Sequence, residues 1–536
     1  MSITRAVRYR RRLERRSWWS GRSASESGLA LIATILVMVI VMALLTVIYN
    51  EGIQTLPLAR NAQNYQAALQ AADAGVEDYI NRLDNNAAYY LETGDPGNPA
   101  FSGWTPVPGT NVHEWFRYAI DNQTTARNGV VHLIVSGAAG TDPSVAAQGN
   151  SVRTVNVSIS LSGFTSFLYY TDYEIVAPSI ATVDGGQYTQ ECQFHAWEWN
   201  TYTNSGYGPD PSCAPDFIYF ADNDTLNGPV FSNDEMHICG SPSFPQGATT
   251  AYNQATSADV AGSTQYGGPG AVYDDPSCYN NPSFGPPSAA PGSEPAGAGK
   301  SDFPATNTNM ESDLAASNDG GGCSYTGPNI TVVFNSDGTM TVTVGSRSTS
   351  SPPPGATFAC SGSHIPLPPN GLLYDANPTG CARSSCYANV NVSGTVAGQV
   401  TVGSQTNITI QSDLVDASTS GGDVIGLSAT NSIILPADYG GVTIDAAMVA
   451  LDNSIYLPDW SNYGSFGDLN IYGSLAQEFR GPVGTTSGSG YTKNYNWDPR
   501  LKYLQPPYFT SPTLPNWVKS GFAECNPTRV PTATTC

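Results

Sequence analysis

The sequence predicts an α+β unit followed by an all-β region. A long N-terminal helix starts as a transmembrane segment and continues as a stalk. A small sheet follows, and then a parallel β-helix, with a β-sandwich as the alternative. Three observations predict this. Residues 29–48 are an unbroken apolar run directly behind an arginine-rich tail. The residues after it keep a helical period as far as Leu83. Beyond that, short strand-like runs alternate with turn residues to the end of the chain. Only 12% of the 536 residues are charged, against 54 Gly, 39 Pro and 29 Tyr, a β-rich and turn-rich balance large enough for two or three domains.

Charge is unevenly spread. The net charge is -22, yet eight of the 22 Lys and Arg are Arg5, Arg8, Arg10, Arg11, Arg12, Arg15, Arg16 and Arg22. Everything downstream is strongly acidic, which disfavours nucleic acid and anionic lipid as partners.

Leu29 to Ile48 gives a helix about 30 Å long, matching the hydrocarbon core of a bilayer. The arginines before it hold the N-terminus in the cytoplasm, so the large acidic part is exported as the extracytoplasmic portion of a single-pass protein. A cleaved signal peptide is the competing reading. The run is too long for one, and no A-x-A site follows it. A twin-arginine signal starting at RRLERR is disfavoured by the hydrophobicity of the run behind it.

Past the bilayer, Pro57 is expected to kink the helix. Leu58, Tyr65, Leu69, Ala72, Val76, Ile80 and Leu83 then fall on one apolar stripe, with Arg60, Gln63, Gln70, Asp73, Glu77 and Asn81 on the other face. Ala67, Ala68, Ala71, Ala72 and Ala74 keep this helix thin. The stripe suits packing on the chain's own β module and packing against other subunits alike.

The Gly28 start, the apolar run and AALQAADAGVEDYINRL resemble the N-terminal region of PilX-type minor pilins, which are related to the GspK-like pseudopilins of type II secretion. The resemblance covers about residues 27–83. It implies a leader removed by a prepilin peptidase after a glycine, assembly with other pilins or pseudopilins, and an assembly ATPase and platform protein as partners. Two sites compete for the cut. After Gly28 the mature chain begins LALIA, with Ala33 fifth. After Gly21, Glu26 stands fifth, where such subunits usually carry a glutamate, but RSAS precedes it. Gly28 is favoured, because burying a segment that begins at Arg22 in an apolar filament core is costly. A mature helix without that glutamate suits a tip or low-copy position in a pilus at the cell surface.

The chain divides into a basic cytoplasmic leader (1–28), the membrane helix (29–48), a stalk helix with a pilin-like β module (49–175), a Cys-containing, Gly/Ser/Pro-rich region (176–328) and a β-rich region with a C-terminal cap (329–536). In the β module, Gly94, Asp95, Pro96, Gly97 and Pro99 form a loop. Residues 104–120 are rich in aromatics, and 129–140 and 151–163 alternate as strands do. Two further stretches, 167–178 and 223–244, together with the C-terminal segment, resemble an uncharacterised group of bacterial surface proteins with PilX-like N-termini. From Gly240 to about Gly322 the composition predicts surface loop. Residues 331–345 form a hairpin turning at Asp337-Gly338. NVNVSG, QVTVGS, NITIQSDL, DVIGLSA, NSIILP, VTIDAAMVA, NSIYLP and LNIYGSL follow. None buries a face alone, so stacking into a β-helix is expected. Residues 476–509, aromatic and Pro-rich, are expected to cap the stack or lie along it.

All ten cysteines lie downstream of the span: Cys192, Cys213, Cys239, Cys278, Cys323, Cys360, Cys381, Cys386, Cys525 and Cys536. An even number on one side of a membrane points to disulfides formed in an oxidising compartment. The close pairs Cys381/Cys386, Cys192/Cys213 and Cys525/Cys536 are the simplest pairings. No CxxC pair occurs, and no His stands at ligand spacing from two cysteines.

The search for chemistry yields no catalytic residue, cofactor or metal site, and the chain is expected not to be an enzyme. Asp222 and Asp224 in ADNDTLNG look like part of a calcium loop, but Leu226 breaks that pattern and turn formation explains them. His195 and Glu198, beside Trp197 and Trp199, fit an edge strand, and His237 fits a partly buried strand position. No GxSxG or phosphate-binding loop is present. The alternative function is a β-helical adhesin or a polysaccharide-binding or -cleaving protein. Arg480, Lys493, Arg500 and Lys502 are then candidates to line a groove for an acidic surface glycan, with Tyr491, Tyr495, Trp497 and Tyr503 stacking on sugars. Pairing of these cations with the domain's own acids, and packing of the rings, are the plainer readings.

Overall fold

In the computed structural model the described residues are 27–85, 89, 97–109, 113–121, 130–140, 152–181, 218–234, 236–250, 271–272, 283–284, 302–314, 320–381, 383–485, 487–502, 504–512 and 516–525. The chain falls into two units, Met1–Gln66 and Ala67–Cys536.

The first unit holds most of the helix α1, Ser27–Asn85. Within it Ala30–Tyr49 is long and apolar enough to cross a membrane, and large side chains such as Leu31, Ile35 and Met42 are exposed along it. Such a segment, followed by a disulfide-bonded region, indicates a membrane anchor or signal with an extracytoplasmic domain behind it. Helical structure is continuous through Pro57.

The second unit begins with the last turns of α1. Here the alternation expected from sequence is borne out: Ala72, Val76, Ile80 and Leu83 are buried, while Gln70, Asp73, Glu77 and Asn81 are exposed. The buried face, to which Tyr79 and Ala68 also belong, packs on an antiparallel sheet of β1 (Thr105–Pro106), β2 (Glu114–Asp121), β3 (Val130–Ala139) and β4 (Val152–Ser162). Phe116, Val131, Leu133, Val135, Val155, Val157 and Ile159 supply the other half of this core. The fifth strand, Asn516–Glu524, comes from the far end of the chain and pairs with β4, Trp517 facing Leu161.

The remaining large sheet has 22 strands and is mostly parallel. Two ladders face each other across one apolar core. In the first, Cys323, Leu373, Val402, Leu427, Met448, Leu475, Tyr169, Val230 and Ala248 stand in register, each opposite the next. In the second, Ile330, Val390, Ile408, Ile433 and Ile455 form one column. Leu414, Ile444, Ile471, Tyr495 and Leu226 form another. Full burial of each such side chain contributes about 1.5–3 kcal/mol. A slip of one residue would turn a whole column outward, so the register is strongly specified. Antiparallel pairing in this sheet is confined to one end. There the hairpin Ile330–Phe334 and Thr339–Val344 turns at Asp337-Gly338 as expected, with Gly338 at φ 82°, and caps the last parallel strand.

The order of strands in the ladders is not the order of the chain. Strand β5 (Tyr169–Tyr173) enters between Ser465–Phe479 and Val230–Ser232, with Tyr169 opposite both Leu475 and Val230. From there the chain builds outward through Val230–Ser232 and Ala248–Thr250. Residues 303–314 then run back over the outside of the first ladder. Phe303 stacks on Phe164 at 4.6 Å, Asn307 donates to the carbonyls of Ser404 (3.0 Å) and Ser428 (2.7 Å), and Met310 and Leu314 pack on Leu372 and Tyr374. The chain resumes at Cys323 and climbs back to meet β5.

Three expectations are corrected by this topology. Residues 169–173, assigned from sequence to the small module, belong to the large sheet, and 516–524 move the other way. Residues 240–322, read as loop, contain Ser243–Phe244, Ala248–Thr250, Ala271–Val272 and Ser283–Phe284 as strands. Pieces two or three residues long vanish in a composition average. The C-terminal run is no simple cap: its first residues continue the strand Ser465–Phe479, Gly490–Trp497 is a full member of the ladder, and only 499–512 lies over it. Gly426 is required for that overlay, since a Cβ there would stand 2.7 Å from Pro506 and 2.8 Å from Phe509.

The disulfides Cys323–Cys360 and Cys381–Cys386 close at Cα separations of 5.5 and 5.9 Å, and Cys239 and Cys525 are disulfide-bonded too. The first pins the capped end; the second is one of the pairs expected from spacing. Cys192, Cys213, Cys278 and Cys536 lie outside the described residues.

Candidate functional site

Two places carry the features from which function can be argued. The first is the contact of α1 with the small sheet. Gly137 on β3 sits so close beneath the helix that a Cβ would stand 2.0 Å from the carbonyl oxygen of Ala68 and 2.3 Å from the amide of Ala72. The small residues Ala68 and Ala72 and the missing side chain at 137 together let the backbones touch. At the end of the helix a partly buried polar chain fixes the following turn. Asn98 donates to the hydroxyls of Tyr89 (2.8 Å) and Tyr118, Tyr118 donates to Asp78 (3.0 Å), and Asp78 accepts from Arg82 at 2.9 Å. The C-terminal strand is tied to the same helix: the Trp517 amide donates to Asp84 at 3.1 Å, and Lys519 bridges Asp73 (2.8 Å) and Glu77 (2.7 Å).

The second place is a cleft of about 860 Å³ in the large sheet, where the segment 218–224 meets 482–493. Its walls include Tyr219, Asp222, Asn223, Ser241, Trp460 and Thr492. Asn223 occupies the left-handed region at φ 68°, which Asn tolerates better than most residues, and so makes the tight turn into Thr225–Asn227. Asp222 accepts from the Ser241 amide at 2.7 Å, joining the two loops of the rim.

The floor is charged and closed on itself. Lys493 donates to Asp224 at 2.6 Å, and Asp224 also accepts from the Ala221 amide at 2.9 Å. Burial pushes the Lys493 ammonium below its ordinary pKa against the pull of Asp224. Behind them Arg480, fully buried, donates to Glu174 (2.9 Å) and to the carbonyls of Ile218 (2.7 Å) and Tyr219 (3.2 Å), and its guanidinium lies 3.6 Å over the ring of Phe220. Glu174 accepts further from Thr171 and Tyr169.

Comparison with family models, with curated proteins and with solved structures gives no match to this chain. Its reading therefore rests on its own residues.

The four cations singled out from the sequence do not gather into one groove. Arg500 is buried elsewhere, paired with Asp498 and Asp416 at 2.7 Å each and donating to the carbonyls of Ser418, Gly421 and Asp423. Lys502 stands 5.7 Å over the Trp497 ring. Tyr491 and Tyr495 are buried, and Trp497 donates its indole N–H to the Thr165 carbonyl at 3.1 Å. Asp222 and Asp224 serve the loop and the ion pair described above. Among the described residues no group of three or more His, Cys, Asp or Glu is placed to hold a metal. His237 is fully buried on Met236–Cys239, its ring 6.0 Å from that of Tyr219. His195, Trp197, Glu198, Trp199, Gly21 and Tyr503 lie outside the described residues, and Gly28 is in the first turn of α1.

Trp460 was missed from sequence. It stands in a turn, NSIYLPDW, with no pattern to separate it from the chain's other tryptophans. Only the approach of 218–224 to that turn gives it a cleft to line.

Proposed function

We propose that this protein is a membrane-anchored structural subunit of the minor pilin or pseudopilin kind, part of a type IV pilus or a type II secretion-like filament. The observation that carries the reading is one helix with two jobs. Its first part is an apolar span of membrane length, and its last turns form the core of a small antiparallel sheet. A simple anchor needs only the first part. The close contact at Gly137 makes the helix an integral element of the folded module, as a filament subunit requires.

On this reading the large sheet is a parallel β-helix. Its two in-register ladders around a shared core support that description. Its bulk favours a tip or low-copy position over a place along a closely packed shaft. Other pilins or pseudopilins, an assembly platform protein and a prepilin peptidase are then its partners, and the subunit acts as structure without chemistry of its own.

N-terminal sequencing of the mature protein tests the reading. A terminus at Leu29, or at Arg22, is the expected result of prepilin processing. An intact Met1, together with normal fibres and secretion in a deletion strain, would reduce the helix to an anchor and defeat the proposal.

A further inference from the structure

The filament reading makes no use of the 860 Å³ cleft, and the cleft's chemistry is specific enough to name an occupant. We propose that it binds a neutral oligosaccharide. The inference does not depend on the filament reading.

Size comes first: small-molecule sites span about 300–1,000 Å³, and the cleft falls within that range. Its lining comes second. Trp460 and Tyr219, both half-buried, contribute aromatic surface, the kind of surface on which the apolar face of a pyranose ring rests. Around them the side chains of Asn223, Ser241 and Thr492 form no hydrogen bond within the described residues, and so offer amide and hydroxyl groups to sugar hydroxyls. This mix of rings and neutral donors and acceptors suits a ligand that is apolar on one face and hydroxylated at its edge.

Charge then selects among sugars. The cleft's one lysine, Lys493, is held by Asp224, and Arg480 behind it is held by Glu174. Among the described lining residues no further cation is left for a uronate, sulfate or phosphate. Asp222 stands exposed at the rim, so an anionic ligand would meet a like charge with nothing to offset it. The acidic glycan considered from sequence is therefore the wrong class. Its supposed binding cations are internal ties of the fold.

The test is calorimetric titration of the full-length protein in a detergent without a sugar headgroup. The probes are cellohexaose, maltohexaose and chitohexaose as neutral ligands, and hexagalacturonate as the acidic one. At least one neutral hexasaccharide should bind and hexagalacturonate should not. Trp460→Ala should weaken binding at least tenfold. Trp460 also packs on the core, so two milder variants guard against misfolding: Thr492→Val removes a hydroxyl at constant shape, and Asn223→Gly removes an amide while keeping the left-handed turn. Each should weaken binding several-fold with unchanged thermal melting. The proposal is overturned if none of the three neutral probes binds, if hexagalacturonate binds as tightly, or if both milder variants bind like the wild type.

Discussion

The large sheet contains two kinds of stitching, and they differ in chemistry. Where successive strands follow the chain, the corners are held by neutral groups. Asn431 donates to Asn407 at 2.8 Å and Asn453 donates to Asn431 at 3.2 Å, across sequence separations of 24 and 22 residues. Where the chain order breaks, around β5 and the segment 218–224, buried ion pairs are added to such neutral ties. Arg480–Glu174 spans 306 residues and Lys493–Asp224 spans 269. A neighbouring strand is delivered by the chain at small entropic cost, so a weak, repeated contact is enough to hold it. A strand from far away must be told apart from every other strand of similar pattern. A buried charge, costly unless its own partner arrives, makes that distinction. We take this as the reason these two ion pairs lie where they do, while the buried pair Arg500–Asp416 ties the overlying segment to the ladder.

The comparison breaks most directly at Arg480. Glu174→Ala leaves a buried guanidinium without its carboxylate and should destabilise the protein by about 3–5 kcal/mol. Urea unfolding followed by tryptophan fluorescence measures it. The double variant Glu174→Leu, Arg480→Met should recover most of the loss. If the double costs as much as the single, uncompensated charge is not what the pair controls.

Asp375 sharpens the other side of the comparison. It lies buried in the chain-ordered part with no cation beside it among the described residues, accepting from the Asn389 backbone amide at 3.1 Å. Burial pushes its carboxyl from the ordinary 3.8 up to about 8. It is thus a neutral corner group at neutral pH, like the asparagines. The folded state holds this proton more tightly than the unfolded chain does. The stabilisation is complete below pH 3.8, falls as pH rises, and is gone above about 8. Asp375→Asn should therefore gain on the wild type across that window, by at most about 1.4 kcal/mol per pH unit, and stay level above it. Melting curves at pH 4, 6 and 8 give the slope. A constant difference between the two proteins would mean that Asp375 is ionised throughout.

The smallest effect belongs to the asparagine corner. Asn431→Ala removes one link of the ladder but leaves Asn407 its bond from the Ser432 amide and Asn453 its bond to Ser179, so it should cost about 0.5–1.5 kcal/mol, the usual net worth of a hydrogen bond. A loss equal to that of Glu174→Ala would erase the contrast between the two kinds of tie.

Much of the local structure was legible in advance. The apolar run announced the long exposed apolar helix, and the stripe from Ala72 to Leu83 announced the buried face of its last turns. Alternation placed β3, β4 and the hairpin around Asp337-Gly338. Val390, Ile408, Ile433 and Ile455 came from runs recognised as strands, because inward positions in a strand must be apolar whatever they pair with. The site was less legible. Arg480 and Lys493 stood out as rare cations in an acidic region, but their partners Glu174 and Asp224 are hundreds of residues away. Nothing local distinguishes them from other acids. Trp460, for the same reason, had no visible neighbour.

By itself the sequence determined the long apolar helix and most of the longer strands, since those depend on period, length and apolarity along a few consecutive residues. Tertiary structure alone decided that β5 enters the large sheet far from its place in the chain, that Asn516–Glu524 completes the small sheet, and that Arg480 and Lys493 close on internal acids at the floor of a cleft. These are choices among partners. They are settled by register, close approach and the cost of an unpaired buried charge, and such quantities exist only once distant segments have met.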